Sequence, residues 1–253
     1  MILLLRIIPL VLGVLEAFLL WSQRANPALY PWIAVVGVVA VPCASLLIGW
    51  GRVRFSDLLE KMTPTFLLIA ALAFGLLLVE GAFQFWIMVA FAAIASFMSL
   101  ELLFLLAYHP SAYPVNGLSR VNIAYVPLIV WYTVSTSTGL RVFIHTPATW
   151  HVLLTAALGA ILFRTTGHPG ATFRQNAVWS ALGALAGLEI GFVGMLLPLS
   201  MQMQGLVAAI LFCSALRARR YVYDPKPSHR VAWIEASVGM AAFLLSLVSA
   251  KWL

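Results

Sequence analysis

Nine apolar stretches, most of them near 20 residues long and separated by short polar breaks, dominate the sequence. A helix needs about 20 mostly apolar residues to cross the hydrocarbon core of a bilayer, so each stretch is a potential crossing. In lipid an unpaired backbone N–H or C=O costs several kcal/mol, which leaves helices and closed barrels as the general solutions. The runs are continuous rather than strictly alternating, and that selects helices. Nine spans in 253 residues leave about 28 residues for each helix with its connection, too few for a soluble insert. The chain therefore reads as all-α: a polytopic transmembrane helix bundle of about nine spans, forming a single transmembrane helical domain over residues 1–253. Composition agrees, with 63% hydrophobic and 9% charged residues, where soluble domains carry roughly half and about a quarter.

The expected spans are 2–21, 30–50, 63–79, 82–108, 121–139, 148–163, 176–196, 199–216 and 231 onward. A cleaved signal peptide in place of the first would reduce the count to eight. Arg6 lies inside that run, Glu16 interrupts it, and Trp21 to Ala25 makes a poor cleavage site, so a retained helix is expected. Pro42 and Pro127 fall inside spans, and Pro198 is expected to separate the seventh helix from the eighth. Trp32 and Trp50 flank the second span as interfacial anchors. The link at Glu80 and Gly81 is so short that the third and fourth helices must form an antiparallel hairpin.

Short loops rich in Lys and Arg stay in the cytoplasm. Loops after even-numbered helices hold eleven cations: Arg52, Arg54, Lys61, Arg120, Arg164, Arg174, Arg217, Arg219, Arg220, Lys226 and Arg230. The opposite side holds three, Arg24, Arg141 and Lys251. This asymmetry predicts a multi-pass protein of the cytoplasmic membrane with its N-terminus inside and its C-terminus outside. The basic stretch from Leu216 to Arg230 is the strongest topological signal. Its Arg217, Arg219, Arg220, Lys226 and Arg230 are expected to touch anionic lipid headgroups or a membrane-protein partner. The net charge of +7 is thereby explained by the bilayer and not by nucleic acid.

Charges buried in a membrane are expensive and normally face a partner or water. Helix direction sorts the carboxylates into two layers. Glu16 and Glu189 fall in an outer layer, joined by Glu80, beside a hydroxyl-rich half-helix carrying Thr133, Thr136 and Ser137. Those hydroxyls can equally bond their own preceding turn. Arg6, Glu101 and Glu235 form an inner layer, and Arg141 lies on the outer side. One reading makes Arg6, Glu101, Glu235 and Arg141 interhelical fasteners, Arg6 with Glu101 or Glu235 and Arg141 with an outer carboxylate. The other makes Glu16, Glu189, Glu80, Thr133, Thr136 and Ser137 the lining of a polar cavity that binds a cation or proton.

His145 and His151 are six residues apart across Pro147, not the spacing of a helical metal pair, and His109, His168 and His229 stand in separate loops. The sequence contains no HExxH, GxSxG, Walker loop or CxxC. No catalytic residue, metal ligand or cofactor site is therefore assigned. Cys43 and Cys213 fall in apolar runs and are expected to pack.

Several segments resemble a family of small polytopic membrane proteins from uncultivated, small-genome bacteria. These are Tyr113-Pro114 through Gly117-Leu118, Gly139-Leu140 to Phe143 leading into Pro147 and Trp150, Leu197-Pro198 behind a helix containing Glu189, and the ending Ala250-Lys251-Trp252. The family has no established activity, so the resemblance carries no site residues with it. The sequence leads to a non-enzymatic structural or assembly component of the membrane. A small secondary transporter or channel using the outer carboxylates is the alternative, and a membrane enzyme acting on lipid-linked substrates is the second.

Overall fold

Among the described residues each expected apolar run lies in a helix, and local chemistry sets several of the ends. The structure, a computed structural model, describes residues 2–166, 172–223 and 229–249. Among them the helices are α1 (Ile2–Ala25), α2 (Tyr30–Gly49), α3 (Phe55–Gly75), α4 (Ala82–Tyr108), α5 (Gly117–Ile144), α6 (Ala148–Thr165), α7 (Phe173–Leu196), α8 (Met201–Tyr223) and α9 (His229–Ser249). Eight of these are long and apolar enough to cross a membrane. The chain is an all-α, multi-pass membrane protein.

Several helices outrun their apolar segments. α3 begins at Phe55, taking in a stretch expected to be loop, with Asp57 in its first turn where a carboxylate favours the helix N-terminus. α7 begins at Phe173 because Thr172 and Gln175 form a capping box: the Thr172 hydroxyl accepts from the Gln175 N–H, and the Gln175 side chain accepts from the Thr172 N–H. α5 ends at Ile144, followed by His145 in the left-handed region at φ 57°. α2 ends similarly, with Gly51 at φ 67°, a conformation that glycine adopts without a Cβ clash. α8 continues seven residues beyond its expected end, to Tyr223, which moves Arg217 and Arg219 from a loop onto a helix.

The chain divides into two compact units, Met1–Tyr125 and Val126–Leu253, with the boundary inside α5. In the first unit α1 packs against α4 and α2, and α2 also packs against α3 and α4. A Cβ on Gly13 of α1 would stand 3.0 Å from the Ala93 carbonyl oxygen of α4, so this glycine permits the approach. Polar side chains tie the helices together. Thr65 donates to Ser99 at 2.8 Å, Ser99 lies 3.2 Å from the Tyr125 hydroxyl, and Tyr125 donates to the Ala95 carbonyl at 3.2 Å. Asn122 donates to the Lys61 carbonyl at 2.8 Å.

In the second unit α6 and α7 form the tightest pair. The buried residues of α7 are Gly183, Gly187 and Gly191, spaced four apart on one face. Added Cβ atoms at these positions would overlap Gly159 and Thr155 of α6. The rest of α7 is largely exposed and apolar, including Leu182, Leu185, Phe192 and Leu196, the surface a helix presents to lipid. Pro198 lies in the break between α7 and α8, as expected. The Gln204 amide donates to both the Leu197 and Leu199 carbonyls there, at 3.2 Å each, satisfying backbone groups that the helix no longer serves. Cys43 is exposed on α2 rather than packed, and Cys213 is half-buried.

Candidate functional site

Two polar groupings stand out, one in each unit. In the first, Glu16 of α1 is completely buried, and neither carboxyl oxygen has a hydrogen-bond partner among the described residues. It lies against Gly37 of α2, where a Cβ would stand 3.1 Å from its Oε2. Glycine at that position leaves the room the carboxyl group occupies. Glu80 belongs to the same unit but is exposed, and its backbone carbonyl is reached by Arg24 at 3.5 Å.

In the second unit the hydroxyl-rich half of α5 is buried continuously from Val134 to Gly139. Ser137 Oγ lies 2.8 Å from His151 Nδ1 of α6 and donates to the Val134 carbonyl at 3.0 Å. A serine hydroxyl has one proton, so both contacts hold together when Nδ1 carries a ring proton of its own. Thr138 donates to Gln204 Oε1 of α8 at 3.0 Å. Ser135 Oγ, Thr136 Oγ1, Trp131 Nε1 and His151 Nε2 are buried without a hydrogen-bond partner among the described residues. Thr133 is half-buried on the same helix. The segment is therefore a polar core between α5, α6 and α8, in which Thr136 and Ser137 are sealed from solvent.

Glu189 does not join that core. It sits on α7 between Gly187 and Gly191, on the face turned away from α6, and is exposed. Arg6 is exposed on α1, while Glu101 of α4 and Arg141 of α5 are half-buried. Arg217 pairs with Glu235 at 3.5 Å. Glu235 also accepts from the Tyr221 hydroxyl at 2.6 Å. Glu235 thus meets two residues of α8.

The basic stretch divides. Arg217 and Arg230 are exposed, whereas Arg219 is buried, donates to the Phe163 carbonyl of α6 and places its guanidinium 4.8 Å above the Trp179 ring of α7. Arg219 thus holds three helices together, because the extension of α8 turns it inward. Lys226 and the side chain of Arg220 lie outside the described residues, as does His168. Among the described residues no three His, Cys, Asp or Glu side chains gather as metal ligands would. The buried Arg219 and the His151 pairing escaped the sequence reading because both depend on which helices become neighbours. The glycine face of α7, a small-xxx-small pattern, was readable from spacing alone.

Between α5, α8 and α9 runs an open cleft of about 920 Å³, lined mainly by apolar side chains, with Arg217, Tyr221 and Glu235 among its polar members. No family model matches the chain, and no curated protein or solved structure matches it.

Proposed function

We propose that the chain is a non-enzymatic structural or assembly component of the cytoplasmic membrane, with its N-terminus in the cytoplasm and its C-terminus outside. The observation that carries this reading is how the interior polar side chains are used. Thr65, Ser99 and Tyr125 link α3, α4 and α5; Thr138 and Gln204 link α5 to α8; Arg219 bridges α6, α7 and α8. These interior polar groups join neighbouring helices, which is what a scaffold requires. The orientation rests on the eleven-to-three distribution of Lys and Arg. Photo-crosslinkers at the exposed α7 positions Leu185 and Phe192, in native membranes, are expected to capture a defined membrane-protein partner in good yield. Crosslinks to lipid alone would overturn the assembly role.

One observation favours a second reading, proton or cation transport. Glu16 is fully buried with both oxygens unpartnered among the described residues, and an ionisable residue at membrane depth is commonly functional. Protein reconstituted in vesicles containing a pH-sensitive dye decides between them. A proton flux abolished by Glu16→Gln with folding intact establishes transport, and no flux from the unaltered protein removes it.

A further inference from the structure

We infer that the cleft between α5, α8 and α9 is a binding site for an anionic phospholipid, with an acyl chain in the groove and the phosphate at Arg217. The site would serve a scaffold or a carrier alike, so the inference stands independently of the reading above.

The groove is shaped by small side chains. Ala209 of α8 and Ala236 and Gly239 of α9 leave space between the helices, while Trp131, Cys213 and Phe243 wall it. From Leu206 to Tyr221 it follows α8 for about 22 Å at 1.5 Å per residue. That exceeds the depth of one leaflet, about 15 Å, or half the hydrocarbon core. Its volume of about 920 Å³ lies near the top of the range of small-molecule sites, roughly 300 to 1,000 Å³. Length and apolar lining together fit a hydrocarbon chain entering from the bilayer.

Polarity is concentrated at one end. The Arg217 side chain is 63% exposed and meets Glu235 through one nitrogen at 3.5 Å. Glu235, 21% exposed, also accepts from Tyr221 at 2.6 Å. The carboxylate is thus held by two groups, while most of the Arg217 side chain remains exposed. A guanidinium has five N–H donors in a geometry that matches phosphate oxygens. Arg230 is exposed at the start of α9, and apart from the inward Arg219 the stretch from Leu216 to Arg230 carries four cations, Arg217, Arg220, Lys226 and Arg230, against one acidic residue, Asp224. The positive end therefore matches an anionic headgroup rather than a zwitterionic one.

Cys213 lines the cleft and reports its occupancy. The full chain carrying Cys43→Ser is purified in mild detergent, and alkylation of Cys213 by N-ethylmaleimide is timed with added phosphatidylglycerol, phosphatidylcholine or inorganic phosphate. Phosphatidylglycerol is expected to slow the reaction about fivefold more than phosphatidylcholine, the selectivity one arginine near a membrane surface provides. Inorganic phosphate alone is expected to leave it unchanged. Arg217→Gln, at an exposed position, is expected to remove the difference between the lipids. Equal protection by both lipids, protection by phosphate alone, or undiminished selectivity in Arg217→Gln would each overturn the proposal. So would a Cys213 already shielded in delipidated protein that crosslinks to a second copy, since the cleft would then seat another chain.

Discussion

Gly159 of α6 and Gly183 of α7 face each other so closely that a methyl group on either would overlap the other's carbonyl oxygen. Gly187 and Gly191 continue the contact against Thr155. In lipid, helices gain little from hydrophobic burial against one another, so close backbone packing contributes much of their association. Gly183→Leu is therefore expected to destabilise the second unit by at least ~1–3 kcal/mol, the usual cost of overpacking. Gly194, on the same helix with open space around it, provides the control: Gly194→Ala should leave stability within ~1 kcal/mol. Thermal unfolding in detergent compares the two.

Arg219 and Arg217 are two residues apart but do opposite work. Arg219→Ala removes a buried charge-assisted hydrogen bond and a contact with Trp179, and is expected to cost ~2–3 kcal/mol. Arg219→Lys should recover little, because an ammonium cannot reproduce a planar guanidinium stacked on an indole. Arg217→Gln loses only an exposed ion pair and should change stability by less than ~1 kcal/mol. If the two alanine or glutamine variants melted alike, the inward placement of Arg219 would be refuted.

The contact between Glu16 and Gly37 is a test of the first unit. Gly37→Val adds bulk against the Glu16 carboxyl group, and is expected to lower the melting temperature. In a Glu16→Ala background the same substitution should cost less, by about 0.5–3 kcal/mol of coupling, the range for residues in direct contact. Additive effects would mean that the two side chains do not meet.

Ser137→Ala leaves His151 Nδ1 buried without its partner. The expected cost is ~1–3 kcal/mol, read as loss of folded protein on heating. Ser214, whose hydroxyl donates to its own helix at Ile210 and is exposed, should tolerate alanine with almost no change.

The orientation can be read chemically. In cells producing the Cys43→Ser, Cys213→Ser chain, a cysteine at Gly81 is expected to react with a membrane-impermeant thiol reagent, and one at Arg52 is expected to react only after permeabilisation. The reverse pattern would invert the topology.

Hydrophobic length alone carried much of the architecture. The 82–108 span agrees with α4, Pro198 does fall at a helix break, and the 148–163 span becomes the shortest of the nine described helices. These features depend on backbone satisfaction in lipid and on proline chemistry, which act over a few residues and are visible in order along the chain. Helix ends were less legible where capping and short polar extensions prevailed over hydropathy, as at Thr172 and beyond Leu216.

Partnership between side chains belongs to the tertiary structure. Glu16, Glu189, Thr136 and Ser137 look alike in sequence as polar residues in apolar runs. Yet Glu16 is buried against a glycine, Glu189 is turned outward, and Ser137 is bound to a histidine 14 positions away. Rotation of a helix by half a turn moves a residue from interior to surface, and only packing against neighbours sets that rotation. Hydropathy therefore determined that the chain crosses the membrane many times, whereas the glycine face of α7 and the inward guanidinium of Arg219 show how contact between helices decided which polar groups are interior.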